Sequence, residues 1–416
     1  MRFIHFRMPL GLHNVRTRQM PVTQVARARR MIRFLTPYGS PGMPTSLDFL
    51  VRRDNPREHK CVPGVVNDDT PLAPGEVLIT VDAFAFTSNN VTYATWGEAL
   101  DYWKFFPAVE PGWGRIPVWG FGTVLRSACD GIARRERFFG YFPMSTHVVL
   151  QPVKLNAAGF SDGTPHRAAL HPVYNQYLRT TADPLYDAAR EEQLMLLRPL
   201  FVLSFLVDDF LADNGFFGAR AVVLSSASSK TAYGIAYRLA SRRTVQVIGL
   251  TSYGNLEFVK RLGCYDHVLP YGAVDRLHSE PTVYVDIAGS ADVRRAVHER
   301  LGDQLMYSCA VGGTHWEDLA GAPGESEEAH LPGPRPQFFF APAQMKKRTA
   351  DWGAADLQQR IVQAWRDFMR PVTSPTQPWL RVVHARGPEA VARVVDDMLA
   401  GHVRPEEGWV LTLVQK

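Results

Sequence analysis

The sequence predicts an α/β fold, a doubly wound parallel sheet with a second, partly closed antiparallel barrel beside it. Three observations carry this. Between 219 and 342, short apolar runs alternate with amphipathic segments, which is the pattern of strands buried on both faces with helices between them. Each of those runs ends in small residues. Between 46 and 155, by contrast, short β runs are separated only by turn residues.

The parallel half opens at Ala221-Val222-Val223-Leu224, a buried strand that runs into Ser225-Ser226-Ala227-Ser228-Ser229-Lys230-Thr231 and then a helix from Tyr233. This is how a dinucleotide-binding βαβ unit begins, with pyrophosphate on amides at a helix N-terminus. The usual glycines are replaced by Ser226, Ser228, Ser229, Lys230 and Thr231. Their hydroxyls can donate to phosphate and Lys230 can add charge; a plain Ser-rich helix cap is the alternative. The second strand is expected at 245–250, a helix at 255–263 closed by glycine, and a third strand at 267–270. The fourth strand (282–287) ends in Ala288-Gly289, ahead of a helix at 291–301. The fifth (304–309) ends in Val311-Gly312, and a sixth is expected at 337–340, leading into Phe340-Ala341. In such sheets ligands lie beyond the carboxyl ends of the strands, where these small-residue turns fall.

The end of the second strand bears on which nucleotide fits. Leu250-Thr251-Ser252-Tyr253 offers no carboxylate for a ribose 2′-hydroxyl, so NADP(H) is preferred to NAD. Lys260, Arg242 or Arg243 can pair with a 2′-phosphate, or simply solvate a helix face.

In the first half, strands are expected at 48–52, 76–82, 122–126 and 146–150, and a long helix at 189–218 leads into the parallel sheet. The chain then returns to the barrel through a helix at 357–368, a strand at 379–384 and a helix at 388–399. This organisation gives an Arg-rich leader (1–45), a discontinuous barrel domain (46–190 and 343–416) and a nucleotide-binding domain (191–342), with ample length for two cores.

From 46 to 413 the chain resembles the medium-chain dehydrogenase/reductase superfamily, on its zinc-free quinone-oxidoreductase side. The resemblance is carried by Gly120-Phe121-Gly122-Thr123-Val124, Arg137-Phe138-Phe139-Gly140, the Ser-rich loop, Asp286-Ile287-Ala288-Gly289 and the stretch from Trp379 to Leu413. Asn89-Asn90-Val91-Thr92-Tyr93-Ala94 and Phe339-Phe340-Ala341-Pro342 look more like a branch known only as a domain of unknown function. The resemblance implies a Rossmann-type sheet with a GroES-like barrel, and a homodimer through the nucleotide domains. Zinc members place a cysteine where this chain has Ala85-Phe86-Thr87-Ser88, and carry four close cysteines that it lacks, so no metal site is expected. Relatives place an Asn and a Tyr facing the nicotinamide, which makes Tyr93 the candidate proton donor or carbonyl anchor, with Asn90 orienting it or the ribose. Packing of the Tyr93 ring into the barrel rim is the alternative.

Further candidates come from the residues themselves. Tyr174-Asn175-Gln176-Tyr177-Leu178-Arg179 is a cluster of donors, in which Tyr177 can act on a substrate and Arg179 can hold an acidic group. Ser204, inside an apolar helix, can contact the nicotinamide or merely pack. Dense aromatics at 102–106, Trp113, Trp119 and 338–340 favour an apolar or aromatic substrate if they line the pocket, and core packing if they do not.

Composition excludes other classes. A net charge of +5 over 416 residues does not argue for nucleic acid. No apolar run approaches the ~20 residues that span a bilayer. Four scattered cysteines, Cys61, Cys129, Cys264 and Cys309, suit packing in a cytoplasmic protein. Residues 1–47 hold eight arginines and no acid, which reads as a disordered or non-native leader, or an organellar address. The expected function is a zinc-independent NADPH-dependent reductase acting on an activated C=C or C=O of an apolar small molecule. A catalytically silent NADPH-binding scaffold or sensor is the alternative.

Overall fold

The structure, a computed structural model, describes residues 46–99, 101–311 and 331–415. The leader and Gly312 lie outside them. Ten strands come first: β1 (Leu47–Arg52), β2 (His59–Pro63), β3 (Val77–Phe86), β4 (Trp113–Gly114), β5 (Pro117–Ser127), β6 (Arg137–Pro143), β7 (His147–Leu150), β8 (Pro152–Asn156), β9 (Gly159–Asp162) and β10 (Gln176–Arg179). A short helix, α1 (Ser88–Thr95), follows β3. Their buried side chains, among them Phe84, Phe86, Val118, Phe138, Tyr141 and Phe142, pack into one core cluster. Each such ring stabilises the lobe by roughly 1.5–3 kcal/mol.

The long helix α2 (Glu191–Asp213) leads out of the barrel. Then β11 (Ala221–Leu224), α3 (Lys230–Arg242), β12 (Gln246–Thr251), α4 (Leu256–Arg261), β13 (His267–Pro270), β14 (Thr282–Asp286), α5 (Ala291–Leu301), β15 (Leu305–Ala310) and β16 (Gln337–Phe338) alternate as the sequence predicts. All six strands are parallel, in the order β13-β12-β11-β14-β15-β16. The chain therefore leaves β11 in one direction and returns on its other side at β14. The switch of direction opens a crevice between the carboxyl ends of those two strands.

Two helices follow, α6 (Ala341–Trp352) and α7 (Ala354–Val372). Both pack on α2, and α7 also meets α3, with Phe201 stacked on Phe368 at 4.6 Å. The first segment to rejoin the barrel sheet is β17 (Arg381–Arg386), then α8 (Pro388–Leu399) and β18 (Glu407–Thr412), which pairs with β3. The nine-stranded sheet runs β17-β18-β3-β5-β6-β10-β9-β8, with β7 on β3 and a separate β2-β1-β4 sheet at its side. The helices from 343 to Val372 pack on α2, and the chain rejoins the barrel sheet at β17. This is the Rossmann-type sheet with a GroES-like barrel. No described helix is long and apolar enough to cross a membrane.

Candidate functional site

The crevice is built by the loop after β11. Ser225 is fully buried and its hydroxyl donates to Asp286 Oδ1 at 2.9 Å while accepting from the amides of Ile287 and Ala288. Asp286 also takes the Gly289 amide at 3.0 Å and the Arg294 guanidinium at 2.9 Å. One serine thus ties the first loop to the turn after β14. A buried carboxylate is tolerated here because it is both paired and hydrogen-bonded.

Ser226 sits at φ +50°, a left-handed conformation that glycine normally supplies in this turn, and its amide donates to the Tyr271 hydroxyl at 3.0 Å. Asn255 Nδ2 holds the Ser228 hydroxyl at 3.0 Å. Ser229 caps α3 by accepting from the Ala232 amide. The first amides of α3, on Lys230 and Thr231, together with that of Ser228, have no partner among the described residues. They stand at the positive end of the helix dipole. Thr251 is buried at the end of β12, Ser252 is exposed beyond it, and no acid accompanies them.

The second half of the site is the barrel rim. Thr87 caps α1, and Asn90 closes the cap: its Oδ1 accepts from the Thr87 amide at 2.8 Å and its Nδ2 donates to the Pro117 carbonyl at 3.0 Å. Asn89, one helical turn before Tyr93, donates to the Tyr93 hydroxyl at 2.6 Å. Tyr93 lies in an aromatic cluster with Tyr102 (4.2 Å) and Tyr141 (6.0 Å), and Trp119 packs against Tyr141 (4.9 Å) and Tyr174 (5.9 Å). Burial pushes the Tyr93 and Tyr141 phenols well above their ordinary range, so both keep their protons. Tyr174 leads to His171, whose ring meets Phe340 edge-on at 6.5 Å. Phe340 is half exposed just past β16, and this chain of rings spans from the barrel rim to the carboxyl edge of the parallel sheet.

Several candidates have other work. Asn90 is a capping residue, so the partner of Tyr93 is Asn89 instead. Tyr177 is fully buried inside the barrel, where its hydroxyl donates to the Tyr141 carbonyl at 2.5 Å and its ring stacks on Phe160. Arg179 spends its guanidinium on Glu136 and on the carbonyls of Gly131, Asn156 and Ala157. The cluster from 174 to 179 thus reads as a strand of the barrel, and neither Tyr177 nor Arg179 faces the cleft. Ser204 is fully buried between α2 and α3, donating to carbonyls of Leu200 and Thr231. Lys260 pairs with Glu257 at 2.9 Å on an exposed helix face.

Lys230 also departs from expectation. Its side chain leaves the loop and its ammonium donates to the carbonyl of Glu407 at 2.9 Å and of Pro405 at 3.4 Å, pinning α3 to the start of β18. Ala288, Gly289, Val311, Phe340 and Ala341 do border the carboxyl edge. Sequence reasoning does not single out Ser225, Asp286, Arg294, Asn255, Tyr271 or Tyr141 as site residues, whereas Trp119 is among the aromatics expected near the pocket and Asn89 stands four residues before Tyr93 on one helix. Among the described residues no group of three or more His, Cys, Asp or Glu is gathered to hold a metal ion.

A family model described as "Protein of unknown function (DUF2855)" matches residues 84–404. No curated protein matches the sequence. Among solved structures, CurA in complex with NADPH from Vibrio vulnificus is similar over 89% of this chain and 100% of its own, at 13% identity and a TM-score of 0.55. A Mesorhizobium loti protein named as an NADPH:quinone reductase is similar over 89% and 99%, at 14% identity and a TM-score of 0.54. The mitochondrial 2-enoyl thioester reductase of Candida tropicalis is similar over 89% and 100%, at 10% identity and a TM-score of 0.52. At these identities the likeness is one of fold.

Proposed function

The chain belongs to the DUF2855 family, and from that premise we propose that it is a zinc-independent, NADPH-dependent reductase. It acts on an activated C=C or C=O of an apolar small molecule. The observation that carries this reading is the set of unpartnered amides at the N-terminus of α3, placed at the β11/β14 crevice where a parallel sheet takes its ligand. Ser228, Lys230 and Thr231 offer main-chain donors to a pyrophosphate, and Ser225 with Asp286 and Arg294 fixes the loop that presents them.

The absence of an acid after Thr251 leaves room for a 2′-phosphate, which supports NADPH over NADH. When bound, the cofactor supplies hydride. What the chain supplies is position and a proton donor: Tyr93, kept protonated by burial and oriented by Asn89, hydrogen-bonds the oxygen of a substrate lying against Trp119 and Tyr174. Three structurally similar proteins are named for NADPH or for reductase activity, which agrees with this reading.

The Tyr271 hydroxyl already occupies the Ser226 amide and Lys230 is turned away, so the loop offers fewer donors than a glycine loop. That favours, as a second reading, an NADPH-binding protein without turnover. Fluorescence titration is expected to give NADPH about ten-fold tighter binding than NADH, a gap of about 1.4 kcal/mol. A panel of enones and ketones, run with a chelator present, then separates the two readings by oxidation of NADPH. Equal affinities for the two nucleotides would remove the cofactor assignment.

A further inference from the structure

Lys230 opens α3, and its own amide is one of the unpartnered donors at the β11/β14 crevice. Its side chain leads elsewhere. It crosses to the barrel lobe, where the ammonium donates to the main-chain carbonyls of Glu407 at 2.9 Å and Pro405 at 3.4 Å. Glu406 and Glu407 are the titratable groups that face it, and neither carboxylate takes a hydrogen bond from it. The Glu407 carboxylate is paired with Arg381 on β17. The Ser-rich loop and the first turn of α3 carry no other charged side chain.

Three features make this a loosely held position. The ammonium has three protons and only two neutral acceptors. It belongs to the first residue of a helix, where the dipole disfavours a cation. Burial, only partly offset by Glu407 and Glu406, pushes its pKa down to about 8. The side chain is half exposed, and a lysine is a point charge on a flexible stem, so it is free to turn. Anionic oxygens on the amides of Ser228, Lys230 and Thr231 would lie beside the same residue. They add a charge–charge attraction that main-chain carbonyls lack.

The far end of the tie matters as much. β18 pairs with β3, with Trp409 opposite Phe86, and β3 runs directly into α1, which carries Asn89 and Tyr93. One lysine therefore connects the phosphate loop to the strands that lead to the barrel rim.

We propose that Lys230 is a two-position latch, which either ties α3 to the entry of β18 or turns to the pyrophosphate of a bound dinucleotide and lets β18 go. This rests on the nucleotide-binding part of the reading above, to which it adds how occupancy of the loop is communicated to the other lobe. When the latch turns at alkaline pH, the neutral amine takes a proton from the buffer and the resulting ammonium pairs with a phosphate oxygen.

The test is calorimetric titration of NADPH into the full chain at pH 7 and pH 9, each in two buffers of different ionisation heat. At pH 9 the tied lysine is about nine-tenths neutral, given its pKa of about 8. Close to one proton is expected to be taken up per NADPH at pH 9 and close to none at pH 7, and Lys230→Met removes that difference. Hydrogen exchange reads the other end: amides of 403–408 are expected to exchange about three-fold faster with NADPH bound, where an ordinary ligand slows exchange. NADPH binding with no proton uptake at pH 9 and no faster exchange at 403–408 overturns the latch on the wild type alone. Uptake that persists in Lys230→Met assigns the proton to another group and overturns it equally. Inorganic pyrophosphate is titrated in the same way. Proton uptake with pyrophosphate but no binding of NADPH keeps the latch and removes the nucleotide reading, and binding of neither removes both.

Discussion

The Lys230 ammonium is held by two main-chain carbonyls, and burial pushes its pKa down from 10.5 to about 8. Below pH 8 the charge is present in both folded and unfolded chains, and the folded one bears the full desolvation cost. As the pH rises past 8 the folded chain sheds this proton while the unfolded chain keeps it up to about 10.5. The unfolded state then binds more protons, so this residue's contribution to stability rises with pH across that window, by at most about 3 kcal/mol. Thermal denaturation at a series of pH values is expected to show wild type gaining on Lys230→Met between pH 8 and 10. Parallel curves for the two proteins would place the titration elsewhere. The same residue shows why its role was illegible in sequence: a lysine at a helix N-terminus looks like an anion ligand until two carbonyls, 175 and 177 residues later at the entry to β18, claim it.

Helix α2 crosses α3 so closely that a side chain is missing at the crossing. A methyl added at Gly234 would lie 2.5 Å from Ser204 Oγ and 3.0 Å from its Cβ. Glycine inside a helix ordinarily costs roughly 0.5–1 kcal/mol relative to alanine, so Gly234→Ala on an unhindered helix would stabilise. Here the clash reverses the sign, and Gly234→Ala is expected to destabilise by about 1–3 kcal/mol, the range for overpacking. Ser204→Ala in the same chain removes the nearer atom and recovers part of the loss. Denaturant midpoints of the two single variants and the double one measure this; a stabilised Gly234→Ala would show that the helices separate freely. Ser204 was a candidate cofactor contact because a polar residue on an apolar helix face suggests a ligand. Its partner turns out to be a glycine on another helix, 30 positions away, and no local pattern announces that.

At the scale of the whole molecule, α2 is the shared wall. Its Leu194, Leu196, Phe201 and Phe205 belong to a single buried cluster that contains Phe121 and Phe139 of the barrel as well as Val222 and Leu224 of the parallel sheet. The Lys230 bridge to β18 adds a polar tie between the same two lobes. Neither lobe can lose its packing without exposing part of the other's core. Chemical denaturation is therefore expected to give one transition, coincident by far-ultraviolet circular dichroism and tryptophan fluorescence. Two separated transitions would mean that the lobes hold together independently.

The parallel sheet was legible because its physics is local: strands buried on both faces are continuous apolar runs, and each ends where small residues let the chain turn. β11 and β13 and helices α5 and α8 fall where the sequence puts them. The barrel was legible only in part. β8, β9 and β10 are short, and β10 carries Tyr177 and Arg179, whose polar atoms are satisfied by Tyr141, Arg167 and Glu136 from elsewhere in the barrel domain. The site divides the same way. The loop from Ser226 to Thr231 follows from the strand–loop–helix pattern and the rim at Tyr93 from the family resemblance, but which partner each polar atom takes depends on neighbours far away in sequence. Pro117 claims Asn90, and Glu407 claims Lys230. Hydrogen-bond satisfaction is a property of the packed molecule, so only the tertiary structure could decide it.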